Sequence, residues 1–434
     1  MPSRDLKQKT RGGPVQISTM KKPELLAPAG DLEKLEIAVE FGADAVYLAG
    51  KEFSLRNFSG NFTDQDLTRG IELAHSAGVK VYLACNIYSR SPEQTAIARY
   101  LERLGHLNPD AVIIADPGII DLAANIIPQI PIHLSTQANT TNYNAVNFWA
   151  KAGVRRVNLA RELNLEEIAE IKRRTDLEIE TFVHGAMCIS YSGRCLLSNF
   201  LSGRDSNQGL CSHPCRWNYS VVEELRPGNF HSIMEDDRGS YLFNSKDLCM
   251  IDHIPELVEA GIDSLKIEGR MKGISYLASV VKAYRTAIDT YTADPDHFAP
   301  APEWRQELAQ LYHRGYCTGF YFNDPDQTLP NYENVKLGMI HGFIGRILDS
   351  PGEKQIRVEI KNKVSPGDTI EILTPRGKNP QTTVTQVLNK NMVAVDHAQP
   401  NTCSTLVLEM DVPCRGIVRK TIARSFSSAA ARNK

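Results

Sequence analysis

The chain has 434 residues, 42% hydrophobic and 23% charged, with 49 Lys+Arg against 51 Asp+Glu for a formal net charge of −2. These values are ordinary for a globular protein, and the length predicts two or three domains. No apolar run approaches the ~18 residues of a membrane span and no secretory signal opens the chain, so the protein is expected in the cytoplasm with no membrane contact.

Residues 1–22 are polar, basic and carry Gly-Gly-Pro, which predicts a disordered leader. From Glu24 a single unit then repeats: a short apolar run, a turn and an amphipathic stretch. The runs are LLAPAG (Leu25 to Gly30), AVYLAG (Ala45 to Gly50), VYLACN (Val81 to Asn86) and AVIIADP (Ala111 to Pro117). They continue with IHLSTQAN (Ile132 to Asn139), RVNLAREL (Arg156 to Leu163), LEIETFVHG (Leu177 to Gly185) and SLKIEGR (Ser264 to Arg270). Asp31 is the expected N-cap of the first helix, and Gly42, Gly78, Gly153 and Gly261 stand where helix ends favour a residue that tolerates positive φ.

Eight strands alternating with helices predict an α/β fold, a TIM-type (β/α)8 barrel spanning 23–335 with its trailing helices. An open doubly wound sheet competes, although no G-x-G-x-x-G or P-loop argues for it. The expected strands end in polar or flexible residues, among them Gln137, Asn139, Arg161, His184, Glu268 and Arg270. In a barrel these ends ring the C-terminal mouth, where active sites are built. For any one of them a cap or turn hydrogen bond is the competing role.

The connection between the seventh and eighth runs is far longer than a usual βα loop. Its segment 185–217 carries Cys188, Cys195, Cys211 and Cys215 in a C-x6-C-x15-C-x3-C spacing. Four thiolates in one segment suit an iron–sulfur cluster or a tetrahedral zinc, although x6 is wider than a zinc knuckle usually shows. Four unconnected thiols remain the third reading. Gly185, Gly193, Gly203 and Gly209 would let the backbone bend around a bulky group, His184 and His213 sit beside the thiols, and Cys249 could serve as a substitute ligand.

Beyond Arg270 an amphipathic stretch runs to about Asp294, followed by a helix over Trp304 to Arg314. From Gly338 the texture alternates apolar and polar and is rich in β-branched residues, in GFIGRILD, QIRVEIKN, DTIEILTP, TTVTQVLN and MVAVDH. It predicts a small C-terminal antiparallel β-barrel over 336–420 and a flexible tail over 421–434. From Lys336 onward the chain holds 15 Lys/Arg against 8 Asp/Glu. That excess suggests a polyanion contact through Lys361, Lys363, Arg376 and Lys378, with a solvated basic face as the bland alternative.

Seven stretches carry a resemblance to the collagenase-like peptidase family. They are PELLAPAGDLEKLEIAVEFGADAVYLAG (Pro23 to Gly50), IHLSTQANTTNYNAVNFW (Ile132 to Trp149), ETFVHGAMCISYSGRCLLS (Glu180 to Ser198), RDSNQGLCSHPCRW (Arg204 to Trp217), NSKDL (Asn244 to Leu248), SLKIEGR and HRGYCTGF (His313 to Phe320). Length and the appended β-module fit the branch that hydroxylates transfer RNA, rather than those acting on ubiquinone precursors or ribosomal RNA. The resemblance implies a [4Fe-4S] cluster on Cys188, Cys195, Cys211 and Cys215. It also implies oxygen-independent, prephenate-dependent conversion of the wobble uridine to 5-hydroxyuridine, with tRNA as partner.

Prephenate is a dicarboxylate, so Arg161 and Arg270 are the expected carboxylate ligands, with Gln137 and Asn139 beside them and His184 and Glu268 as acid/base candidates. Peptidase activity is the alternative that the family name carries. The sequence has neither G-x-S-x-G nor H-E-x-x-H to support it. A non-catalytic RNA-binding or cluster-carrying protein is the third class.

Overall fold

Apolar runs of four to six residues, each followed by a helix, close the sheet that the alternation predicts. The computed structural model describes residues 21–55, 60–188, 190–217, 220–222, 230–232, 245–324 and 341–421. Most of the leader and of the tail therefore lie outside the described residues. Strands β1 (Glu24–Pro28), β2 (Ala45–Leu48), β3 (Lys80–Cys85), β4 (Ala111–Ile114), β5 (Ile132–Leu134), β6 (Val154–Asn158) and β7 (Glu178–Ala186) run parallel, each bonded to the next. After the short antiparallel pair β8 (Ser220–Val222) and β9 (Phe230–Ser232) and strand β10 (Asp247–Cys249), β11 (Ser264–Ile267) pairs in parallel with both β1 and β7. The ring is closed at eight strands, which removes the open-sheet alternative.

Local chemistry follows the sequence closely. The Asp31 carboxylate accepts from the Lys34 N–H at 2.9 Å and caps the first helix. Gly42, Gly78, Gly153 and Gly261 all take positive φ. Strand β10 is an addition to the eight expected strands. It lies antiparallel on the end of β7, with β12 (Tyr316–Cys317) beside it, and raises one wall of the mouth. The long helix Ile274–Ala293 packs on β1 and on the first helix, Leu32–Glu40. The next helix, Pro302–Ala309, is shorter than predicted, because the chain turns through Gly315 (φ 85°) into β12.

The second domain consists of β13 (His341–Gly352), β14 (Gln355–Ile360), β15 (Thr369–Leu373), β16 (Gln381–Leu388), β17 (Ala394–Val395), β18 (Thr402–Leu408) and β19 (Ile417–Thr421). Six of these close an antiparallel barrel, in which β15 meets both β16 and β19. Its own core includes Ile356, Val358, Ile372, Val387 and Leu406. Thr421 pairs with His341, so β19 runs one residue into the segment expected as tail.

Leu373 and Ile417 belong to the core of the first domain, which docks the two. Arg419, 2% exposed, binds Glu307 of the helix Pro302–Ala309 at 2.6 Å and also Glu371 of β15. Among the described residues no helix is long and apolar enough to cross a membrane.

Candidate active site at the barrel mouth

The side chains that point inward near the strand ends surround a cavity enclosing about 530 Å³ of empty space, the open solvent at its entrance included. Its charged lining is Arg161, Lys266, Arg270 and a single carboxylate, Glu268. Arg270 is 3% exposed, and its backbone oxygen lies where a Cβ on Gly30 would come within 2.2 Å. Only glycine lets the end of β1 pass there. The Arg161 guanidinium sits 3.9 Å from the centre of the Phe182 ring, and its buried Nε has no hydrogen-bond partner among the described residues. The carboxylate of neighbouring Glu162 instead accepts from the Ser192 N–H at 3.0 Å.

Two residues that sequence reasoning missed complete the cavity. Lys266, 4% exposed, reaches Glu180 at 2.6 Å and lies over the Tyr47 ring at 4.6 Å. Asn158, 2% exposed, offers a buried Oδ1 with no partner among the described residues. Both lie on predicted strands, one inside SLKIEGR and the other inside RVNLAREL. Their signal was a polar residue within an apolar run, which in a barrel means a side chain aimed into the lumen. Buried polar atoms are normally paired. Unpaired ones facing a cavity mark a place prepared for a polar ligand.

The cysteine loop lies over this mouth. All four of Cys188, Cys195, Cys211 and Cys215, together with His213, line one basin enclosing about 810 Å³ of empty space, open solvent at its entrance included. Thr136, Gln137 and Arg161 line both the basin and the mouth cavity, so the two adjoin. A Cβ on Gly193 would fall 2.0 Å from the Gln137 carbonyl oxygen, so only glycine allows this close seating. The Tyr88 hydroxyl donates to that same carbonyl, the Gln208 amide donates to the Tyr88 carbonyl, and Thr136 Oγ1 lies 3.4 Å from Ser192 Oγ. Within the loop, Ser206 Oγ donates to the Cys195 carbonyl at 2.7 Å and the His213 N–H donates to Cys211 Sγ at 3.4 Å.

The donor set suits a thiolate-bound cluster: four soft ligands, a backbone N–H on sulfur and Gly185, Gly193, Gly203 and Gly209 all at positive φ. Among the described residues no three His, Cys, Asp or Glu side chains are close enough to hold one metal ion.

Other expected site residues fall elsewhere. His184 is 1% exposed and does not line the mouth; it is enclosed by the rings of Tyr276, Tyr284 and Tyr316 at 5.5–5.9 Å. Burial pulls its pKa down to about 3, so the imidazole is neutral and part of the wall. Asn139 caps a short 3-10 turn in the left-handed region (φ 53°) and lines neither cavity. Cys249 pairs opposite His184 in β10, away from the basin, and burial pushes its thiol up to about 12.

The four expected RNA contacts do not form one patch either. Lys361 pairs with Glu359 at 2.6 Å. Lys363 lines a groove near the mouth, Lys378 a depression beside Lys282, and Arg376 a hollow at the opposite end of the barrel with Glu178 and Asp263. Neighbours in sequence lie on different faces of a small β-barrel, and charge counts carry no such information.

The fold and site together define a parallel eight-stranded barrel with a four-thiol loop over a cationic mouth. Residues 30–331 match the family model described as Peptidase family U32, and residues 340–419 match that of the Peptidase family U32 C-terminal domain. The chain belongs to peptidase family U32. It is 41% identical over 385 residues to tRNA hydroxylation protein P1 of Bacillus subtilis, covering 87% of this chain and 90% of that protein. Identity to tRNA hydroxylation protein P of Escherichia coli is 39% over 399 residues, with 82% and 87% covered. Among solved structures, the U32 peptidase Mk0906 superposes with a TM-score of 0.39 at 15% identity, covering 61% of this chain and 97% of that one.

Proposed function

We propose that this protein hydroxylates RNA, namely the wobble uridine of transfer RNA to 5-hydroxyuridine, in a reaction that depends on prephenate and on a [4Fe-4S] cluster. The observation that carries the reading is the shared wall: a cysteine-lined basin opens beside a cavity with three cations and one carboxylate. Relatives named for tRNA hydroxylation, aligned over most of both chains, support the substrate. Cys188, Cys195, Cys211 and Cys215 would hold the cluster, which when bound supplies redox chemistry or polarisation at the mouth.

The chain's own residues bind and orient. Arg161 and Arg270 hold carboxylates, Arg161 with an Nε that is unmatched among the described residues. Asn158 Oδ1 is a free acceptor for a donor such as a ring hydroxyl. Gln137 sits where the two chambers meet, and Glu268, the carboxylate of the mouth cavity, moves a proton.

Mass spectrometry of transfer-RNA nucleosides, from a deletion strain with and without the gene restored, tests the activity. Loss and return of 5-hydroxyuridine is expected, and unchanged nucleosides would overturn the proposal. Anaerobically purified protein should hold about four iron and four sulfide per chain. Cys195→Ala should lose that iron and all hydroxylation at any prephenate concentration; stoichiometric zinc in the parent protein would sink the cluster.

A further inference from the structure

Asn158 and Lys266 form a second polar layer below the two arginines of the mouth. Asn158 stands three residues before Arg161 and Lys266 four before Arg270, so β6 and β11 each carry a polar group in the lumen and lead to a cation at the rim. Register fixes the grouping. Asn158 of β6 lies opposite Glu180 of β7, and Phe182 of β7 lies opposite Lys266 of β11. Glu180 and Phe182, two residues apart on one strand, share a face. Asn158 and Lys266 both line the mouth cavity.

The Lys266 ammonium is paired, and the pairing orients it. It donates to Glu180 Oε1 at 2.6 Å and lies 4.6 and 5.5 Å from the centres of the Tyr47 and Phe182 rings, which line the same cavity. Glu180 is anchored in turn from below, where Arg156 reaches its other oxygen at 3.5 Å. An ammonium has three N–H donors, and Glu180 takes one. A buried ion pair is a weak source of stability, because well-packed apolar side chains do as well or better. Ala84 and Ile113 fill the lumen nearby in that way. A charged pair at the floor of a cavity serves recognition.

Asn158 Oδ1, buried and unmatched among the described residues, is an acceptor at the same depth. A carboxylate would be repelled by that oxygen, whereas a hydroxyl accepts from one neighbour and donates to the other. We propose that Lys266, oriented by Glu180, donates to the ring hydroxyl of the small acid while that hydroxyl donates to Asn158 Oδ1. These two contacts select the configuration of the carbon that bears the hydroxyl, and the carboxylates remain with the arginines above. The inference rests on the proposed use of prephenate and adds to it which end of the ligand enters first.

Calorimetric binding of prephenate, and of its epimer at the hydroxyl-bearing carbon, to anaerobically purified protein tests the assignment. The two ligands carry the same charges and groups and differ only in where the hydroxyl points. The parent should bind prephenate roughly 10- to 100-fold more tightly than the epimer, in line with one charged hydrogen bond. Lys266→Met should weaken prephenate by about the same factor and leave the epimer nearly unchanged, bringing the ratio close to one. A merely structural role would weaken both ligands alike. Should Lys266→Met fail to fold, its combination with Glu180→Gln removes both charges and should give the same ratio, with thermal unfolding and iron content identifying folded protein. Equal binding of the two epimers by the parent, or the parental ratio in either variant, would overturn the inference and leave the prephenate reading standing. A parent protein that binds neither ligand would overturn that reading, and the inference with it.

Discussion

The two ends of the main barrel use similar residues in opposite ways. At the base Arg156, 3% exposed, is matched by Glu24 at 2.5 Å, Glu178 at 2.7 Å and Glu180 at 3.5 Å. Tyr82 donates to Glu24, and burial, which raises the Glu24 pKa, is outweighed by the Arg156 contact, so the carboxyl is held below its ordinary range. At the mouth the Arg161 guanidinium meets an aromatic face, and among the described residues its Nε and the Asn158 Oδ1 are unmatched. A cation enclosed by carboxylates fixes the architecture; a cation left short of partners keeps a donor that a ligand can use. The location of charge says little until its pairing is counted.

The largest effect should break the base. Arg156→Met removes the buried cation from Glu24 and Glu178, leaves Lys266 as the cation beside Glu180, and should lower stability by about 3–5 kcal/mol, measured by chemical denaturation. A loss below about 1 kcal/mol would show that the network is dispensable. Arg161→Ala should do the reverse. Stability stays within about 0.5 kcal/mol and iron content holds, while the prephenate needed for half-saturation rises roughly 10- to 100-fold, from the loss of one charged hydrogen-bonded contact. Identical saturation curves for Arg161→Ala and the parent would make that arginine structural.

The third test shows in shape more than in size. The unfolded His184 takes up a proton near its ordinary 6.5, whereas the folded one resists until about pH 3. Protons therefore favour the unfolded chain in that window, and stability falls as pH drops from 6.5 to 3. His184→Phe removes this contribution and should move the acid-unfolding midpoint to lower pH. It should leave the prephenate half-saturation unchanged, because the ring belongs to the wall. A changed half-saturation would return His184 to the site.

The barrel was legible because each strand is a short apolar run and each helix carries its own stop; Asp31 and Gly42 needed no tertiary information. The four thiols and the cations Arg161 and Arg270 were legible because strand ends and long insertions meet at a barrel mouth. Lys266 and Asn158 were not, since a polar residue within a strand reads as outward until the lumen is known to be wet. The second domain shows the same limit. Strand β19 (IVRKT) reads as polar because Arg419 is there, yet that side chain is buried by Glu307 and Glu371. His184 misled for the opposite reason: a histidine beside cysteines suggests chemistry, and only its tyrosine surroundings show otherwise.

Gly30 and Arg270 also set an order of events during synthesis. Gly30 follows the first strand and Arg270 the eighth, and those strands meet across 240 residues, with Ser264 hydroxyl bound to the Glu24 carboxylate. Contacts so distant in sequence form late, after local helices and hairpins. Until β11 has left the ribosome and paired with β1, the lumen stays open and one of the mouth's two arginines is missing. The pocket comes into being with the closing stitch of the ring.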